Sequence, residues 1–266
     1  MSASGTGGGR LRFLGHSTVL IEMDGARILT DPVLRHRVGP IVRIAPPHQP
    51  EWIAGIDAVL ISHAHLDHLD LPTLRSLEAL APDFRVIVPP GLAGTVRAAG
   101  IARVEELLAG GSVMVGGLTV TATPAVHSGF RPPSGPRAAA LGYVVRSALS
   151  SVYFAGDTDL YPGMTELAPG LDVAMLPVWG WGPRLGPGHM NPERAAQALT
   201  LLRPRLAIPI HWGTYWAIGM GRVRRHRTSE PPHEFAAMAR DIAPGVRVAV
   251  IEPGGDPIAI PASHVE

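Results

Sequence analysis

Cysteine is absent from the 266 residues. Disulfides, thiol nucleophiles, thiolate-bound zinc and Cys-held iron–sulfur clusters are thereby excluded. Lysine is absent too, so all 23 basic residues are Arg. No Schiff-base enzyme, Lys general base or Walker-type phosphate loop can be built from this chain. Arginine keeps its charge at any working pH, so it can clamp anions but cannot shuttle protons. No apolar run approaches the roughly 18 residues of a membrane-spanning helix. Charged residues are few (17%), with a net charge of +1, which leaves no broad field for nucleic acid or a membrane surface. The first ten residues are small and Gly-rich without an apolar core, unlike a signal peptide. Residues 1–9 read as a flexible tail and 10–266 as a single domain made of two halves, in a cytoplasmic protein.

What the chain does have is histidine, 12 in all, as its main stock of acid/base or metal-binding groups. Around them the patterning is that of an α/β protein. Leu11–Leu14, Thr18–Met23 and Ala26–Leu29 read as strands, with Asp24-Gly25 as a type I′ turn. Ala58–Ile61 and Arg85–Val88 are short buried strands, and Leu71–Ala81 and Leu92–Ala99 are helices. Gly116-Gly117 is a second hairpin turn, followed by alternation of Leu118, Val120 and Ala122 with threonines. Residues 131–136 break the pattern. Strands resume at Gly142–Val145, Val152–Phe154, Val173–Leu176 and Leu206–Ile210, and a last one is expected at Val246–Ile251. Asn191 caps a helix that opens on Pro192 and stops before Pro204, and Glu234–Ile242 is a further helix. Each half gives strands first and helices after, which two face-to-face sheets between outer helices would accommodate.

Several His and Asp residues share one placement, directly after an apolar strand. Ala58–Ile61 leads into Ser62-His63-Ala64-His65-Leu66-Asp67-His68. The alternating strand leads to His127, Val152–Phe154 to Asp157, and Leu206–Ile210 to His211. Loops at strand ends are where α/β proteins hold ligands. In extended chain, residues two apart point the same way, so His63 and His65 can face one ion. Three imidazoles and a carboxylate within six residues, behind a buried strand, would be costly to desolvate without a cation. Five His and two Asp suit two divalent ions about 3.5–4 Å apart, with one carboxylate between them.

These segments resemble the signature of the metallo-β-lactamase fold superfamily. Pro124-Ala125-Val126-His127, Phe154-Ala155-Gly156-Asp157-Thr158 and Pro209-Ile210-His211-Trp212-Gly213 look like its later motifs, in order. Thr30-Asp31-Pro32 and His189-Met190-Asn191-Pro192-Glu193 are similar to patterns of the branch with ascorbate phosphate lactonase and N-acylphosphatidylethanolamine phospholipase D. The resemblance implies an αββα sandwich of two mixed sheets flanked by helices. It also implies that His63, His65 and His127 hold one metal and Asp67, His68 and His211 a second, with Asp157 bridging. Zinc is the first expectation for both ions, manganese and iron the alternatives. The Cys ligand of β-lactamases proper has no counterpart, which argues against antibiotic hydrolysis.

The function expected is a dinuclear hydrolase, in which a hydroxide between two metals, oriented by Asp67, attacks a small ester, lactone or phosphodiester. His189, in the rim-like loop Gly180–Gly188, is the candidate for leaving-group protonation or substrate contact. His16 and Asp31 read as partners that orient ligands without binding metal. Trp181, Tyr215 and the run from Arg222 to Arg227 are candidate substrate contacts, with core packing and a solvated loop as the plainer readings. The substrate is expected to be a small molecule, with an anionic one among the options, and a homo-oligomer is left open. Two alternatives share the motif. A tRNA-processing type of nuclease would need a longer basic tract. An iron-dependent oxidoreductase lacks an accompanying redox module.

Overall fold

The computed structural model describes residues 8–262 apart from 82, 222 and 224. In the first half the strands are β1 (Arg10–Gly15), β2 (Thr18–Met23), β3 (Ala26–Thr30), β4 (Arg37–Val38), β5 (Ile41–Arg43), β6 (Ala58–Leu60), β7 (Arg85–Val88) and β8 (Val104–Glu106). Helices α1 (Leu71–Leu80) and α2 (Ala93–Ala98) lie among them. The second half supplies β9 (Ser112–Val115), β10 (Leu118–Pro124), β11 (Leu141–Arg146), β12 (Ser151–Phe154), β13 (Val173–Pro177), β14 (Leu206–Ile210), β15 (Tyr215–Ala217), β16 (Arg247–Val248) and β17 (Ile258–Ala259). Its helices are α3 (Pro192–Leu202) and α4 (Pro231–Ile242).

Two seven-stranded mixed sheets result, in the orders β17-β1-β2-β3-β6-β7-β8 and β16-β14-β13-β12-β11-β10-β9. The period of two along each strand builds the layers. In the first sheet Phe13, Val19, Ile21, Ile28, Leu60 and Ile87 join one apolar cluster, which also holds Val120, Tyr143 and Phe154 of the second sheet. The intervening Leu20, Leu29, Val59, Val86 and Val88 join another, with Leu74 and Leu77 of α1 and Val96 of α2. The far face of the second sheet is covered by α3 and α4, through Ala195, Leu199, Phe235 and Ala239. The architecture is the expected αββα sandwich, and no helix among the described residues is long and apolar enough to cross a membrane.

Local signals account for most boundaries. Asp24 and Gly25 both have positive φ (46° and 79°), as a type I′ turn needs. Asp70 caps α1, its Oδ2 accepting from Thr73 N at 3.2 Å, and Asn191 caps α3 in the same way at 2.9 Å. Helix α4 starts three residues before the expected Glu234, because Pro231 and Pro232 occupy a first turn in which no N–H partner is required. The expected strand Val246–Ile251 shrinks to β16, which pairs with β14 only at Leu206 and Ala207. The strand β17 returns to pair with β1 in the first half's sheet. A three-stranded sheet, β15-β5-β4, was not foreseen. Its strands are two or three residues long, too short to show a period. Gly8 is buried, and the Gly9 carbonyl accepts from Ile260 N at 2.9 Å; residues 1–7 of the expected tail lie outside the described residues.

The parallel neighbours β3 and β6 in one sheet, and β12, β13 and β14 in the other, end on one edge of the sandwich. There the two sheets are stitched together. Leu141 N donates to Ser62 O at 2.9 Å and the buried Tyr143 hydroxyl to Ile61 O at 2.8 Å. Gly156 sits at the closest approach: its φ is +59°, and a Cβ there would fall 2.6 Å from Ser62 Cβ.

Candidate metal centre

Each of the seven candidate ligands emerges at that edge. His63 follows β6, His127 follows β10, Asp157 follows β12 and His211 follows β14. His65, Asp67 and His68 come from the turn between β6 and α1, where Leu69 N bonds back to His65 O at 2.8 Å. His16, Asp31 and His211 all have positive φ, three of the five non-glycine residues with that conformation among those described. Such backbone costs about 1–3 kcal/mol each and persists only where the surroundings enforce it. Here it aims three polar side chains at one place.

The imidazoles assemble in two groups. His63 Nε2 is 2.9 Å from His65 Nδ1, which is 3.1 Å from His127 Nε2. In the second group His68 Nε2 is 3.2 Å from His211 Nε2, and Asp67 Oδ2 is 3.7 and 3.8 Å from those two nitrogens. Asp157 stands between: its Oδ2 is 4.0 Å from His63 Nε2 and 3.1 Å from His68 Nε2, and its Oδ1 is 3.3 Å from His211 Nε2.

Every one of the five rings has an oxygen at its outer nitrogen. His63 Nδ1 faces Ser62 Oγ at 2.9 Å, and that hydroxyl donates to Asp31 Oδ2 at 2.5 Å. His65 Nε2 faces Phe130 O at 2.9 Å and His127 Nδ1 faces Gly188 O at 2.9 Å. His68 Nδ1 faces Asp31 Oδ2 at 2.7 Å and His211 Nδ1 faces Trp179 O at 2.7 Å. An outer nitrogen that donates leaves the inner one as a lone pair. Inner nitrogens 2.9–3.2 Å apart cannot all hydrogen-bond one another. They match the edge of a tetrahedron around a divalent ion, about 3.3 Å for nitrogen ligands. Asp157 Oδ1 is buried with no hydrogen-bond donor, an orphan that a cation would satisfy. The residues therefore fit a metal.

The electrostatics agree. Burial holds His63 well below the ordinary imidazole range, lowers His65 and takes His127 down to about 4, so this group is neutral and ready to ligate. Burial opposes charge on His68 as well, but Asp157, Asp67 and Asp31 surround it and hold it well above that range. Burial would raise Asp67 and Asp157, yet the imidazoles facing them keep both well below the usual carboxylate range. Two buried carboxylates are thus balanced by a proton on His68, whose place a metal ion would take.

Asp31 and His16 both contact candidate ligands. Asp31 accepts from Ser62 N at 2.7 Å as well as holding Ser62 Oγ and His68. His16 Nε2 meets Asp67 Oδ2 at 3.0 Å, and burial, then His211, pushes this ring down to about 3. His189 Nε2 is 3.2 Å from Asp157 Oδ2, and its Nδ1 is 3.1–3.2 Å from the carbonyls of Pro187 and Gly186. Burial works against a charge on His189, but Asp157 raises it to about 9.

A cavity of about 560 Å³ opens onto the two groups, with Asp67, Asp157, His189 and His211 in its wall. Residues of the loop 180–186 form its rim. Trp181 lines it and also donates Nε1 to Asp67 Oδ2 at 2.9 Å. Tyr215 does not: it is 1% exposed, packed with Val33, Val38 and Ile41, and its hydroxyl is 2.9 Å from Val33 O and Arg35 O. Its expected role as a substrate contact is corrected to core packing, because β15 pairs with β5 and turns the ring inward. Arg222 lies outside the described residues. Sequence reading missed the apolar part of the wall formed by Val38, Pro40 and Ile41, and it missed Arg131. No motif marks these residues; only the unforeseen small sheet and the loop after His127 bring them to the site.

Comparison with known proteins gives the same picture. A family model described as the β-lactamase superfamily domain matches residues 26–212. A metal-dependent hydrolase of Methanopyrus kandleri is 32% identical over 253 residues, covering 92% of this chain and 97% of that one. An N-acyl-phosphatidylethanolamine-hydrolyzing phospholipase D of Caenorhabditis elegans is 33% identical over 225 residues, 76% of this chain and 63% of that one. An uncharacterized Mycobacterium tuberculosis protein is 34% identical over 258 residues; 91% of this chain matches it, spanning 66% of that relative's length. Among solved structures, the metallo hydrolase Igni18 of Ignicoccus hospitalis superposes with a TM-score of 0.73 at 25% identity, over 95% of this chain and 98% of that one. The chain belongs to the metallo-β-lactamase superfamily.

Proposed function

We propose that this chain is a metal-dependent hydrolase that works with two divalent ions, zinc before manganese or iron, and cleaves a small ester, lactone or phosphodiester. One observation carries the reading: two groups of inward-facing ligands flank one buried carboxylate, Asp157, which has an oxygen near each. His63, His65 and His127 would hold one ion and Asp67, His68 and His211 the other, with Asp157 between them. Such a pair supplies a water acidic enough to ionise near neutral pH and takes up negative charge that develops on the substrate.

The chain's own groups do the positioning. Asp67 is fixed through Oδ2 by His16 and Trp181, which sets the direction of its carboxylate at the cavity wall. His189 faces oxygen acceptors with both ring nitrogens, so both carry protons. The Nε2 proton, on the cavity side, is the one available to a leaving group. The apolar wall takes the body of the substrate and keeps bulk water from the reacting bond.

The phosphodiester class draws support from the C. elegans relative, whose name gives a phospholipase D activity. The test is turnover of p-nitrophenyl acetate, bis(p-nitrophenyl) phosphate and a γ-lactone, before and after chelation and with each metal restored. Metal-restored cleavage of at least one is expected. Failure on all three at full metal loading would overturn the proposed reaction.

A further inference from the structure

The loop that follows His127 carries a cation with an unusual setting. Arg131 is half-buried in the cavity wall. Its Nε donates to Ala64 O and its Nη2 to Leu69 O, the latter at 2.8 Å. Both acceptors are neutral carbonyls of the ligand-bearing turn. The neighbouring Phe130 carbonyl holds His65, and Gly135 N bonds back to Arg131 O at 2.8 Å, so the backbone that carries the side chain is fixed as well. Among the described residues no carboxylate pairs with Arg131, and its Nη1 has no hydrogen-bond partner. The carboxylates whose charge reaches it, Asp67 and Asp70, hydrogen-bond elsewhere, Asp67 to His16 and Trp181 and Asp70 to Arg35.

The rest of the wall differs in character. Val38, Pro40, Ile41, Leu66, Trp181 and Leu185 make most of it apolar. The other arginine there, Arg184, is exposed. A fixed charge in a half-dry cavity with no carboxylate in direct contact can take its paired counter-ion from a ligand. A guanidinium presents paired N–H groups that match a carboxylate or a phosphate.

We infer that Arg131 is an anion-recognising residue and that the substrate is an amphiphile, an apolar body carrying one carboxylate or phosphate group. This rests on the hydrolytic reading above for the location of the reacting bond. Substrates without the anionic group would bind through the apolar wall alone. Arg131 would then set specificity and not perform the chemistry.

Binding by calorimetry tests this without turnover. Octanoate, octyl phosphate and 1-octanol are titrated into the metal-loaded chain and, to remove direct metal coordination, into the metal-free chain. In both forms at least one anion should bind tenfold or more tightly than octanol, and which anion does so distinguishes carboxylate from phosphate. In Arg131→Gln that preference should fall at least tenfold while octanol binding stays within twofold; Arg131→Lys should keep part of it. Wild-type protein that binds octanol as well as either anion would overturn the inference. So would variants that lose octanol and anions together, since Arg131 would then only brace the loop. A chain that shows the Arg131-dependent preference yet cleaves none of the three test substrates would refute the hydrolytic proposal and leave the anion subsite standing.

Discussion

Asp31 touches no inner nitrogen of the site, yet it holds two ligand side chains by their outer atoms, His68 directly and His63 through Ser62. Partners of this kind set ring orientation and basicity, and losing one typically costs 10–100-fold in metal affinity. Asp31→Asn should weaken metal binding by about that factor, read by competition with a chromophoric chelator; unchanged affinity would show that the rings orient themselves. Asp67→Ala removes a proposed ligand and the acceptor of His16 and Trp181. Turnover should fall by about a thousandfold or more while the far-UV circular dichroism is unchanged. Much of this was legible in the sequence, because ligands set directly behind apolar strands are local patterns. The His63-to-His68 run, Asp157 and His211 needed only the strand ends to meet. Tyr215 and Arg131 were misread or missed because their roles depend on contacts across the fold. Tyr215 turns inward by pairing with a strand 172 residues away in sequence (Arg43), and Arg131 acquires its setting from carbonyls of the 64–69 turn.

At the scale of elements, the centre depends on how closely two sheet edges approach. Gly156 makes that approach, with Ser62 of the other sheet against it. Gly156→Ala must accommodate both a positive φ and the 2.6 Å contact with Ser62 Cβ. It should destabilise the chain by more than about 1 kcal/mol and loosen metal binding at the same time, measured by thermal melts with and without metal. A stability loss with metal affinity intact would separate sheet packing from site geometry. The strands, caps and hairpins were readable because period-two burial, Asp-Gly turns and Asn-Pro helix starts are encoded within a few residues. The β15-β5-β4 sheet was not, since strands of two or three residues carry no period and the pairing joins distant parts of the chain.

For the whole molecule, seven polar side chains converge at one edge of an otherwise apolar sandwich, and cations bound there favour the folded state alone. Chelation should lower the melting temperature; at a metal concentration a thousandfold above Kd the difference corresponds to about 4 kcal/mol. Acid should act unevenly. His63, His65 and His127 are all held below the ordinary range, so protons compete with metal at this group less than they would at free imidazoles. His68, held well above the range, must give up a proton to bind metal. Affinity at its group should therefore fall about tenfold per pH unit as the pH drops. Metal content followed from pH 8 to 5 should show one ion leaving before the other; simultaneous loss would contradict this ordering.

Whether the two groups hold two ions is read by elemental analysis of the untagged protein purified without chelators. Two equivalents of a divalent metal per chain are expected, falling to one in Asp67→Ala. A chain that retains no metal, and takes up none when it is supplied, would contradict the seven-ligand assignment outright.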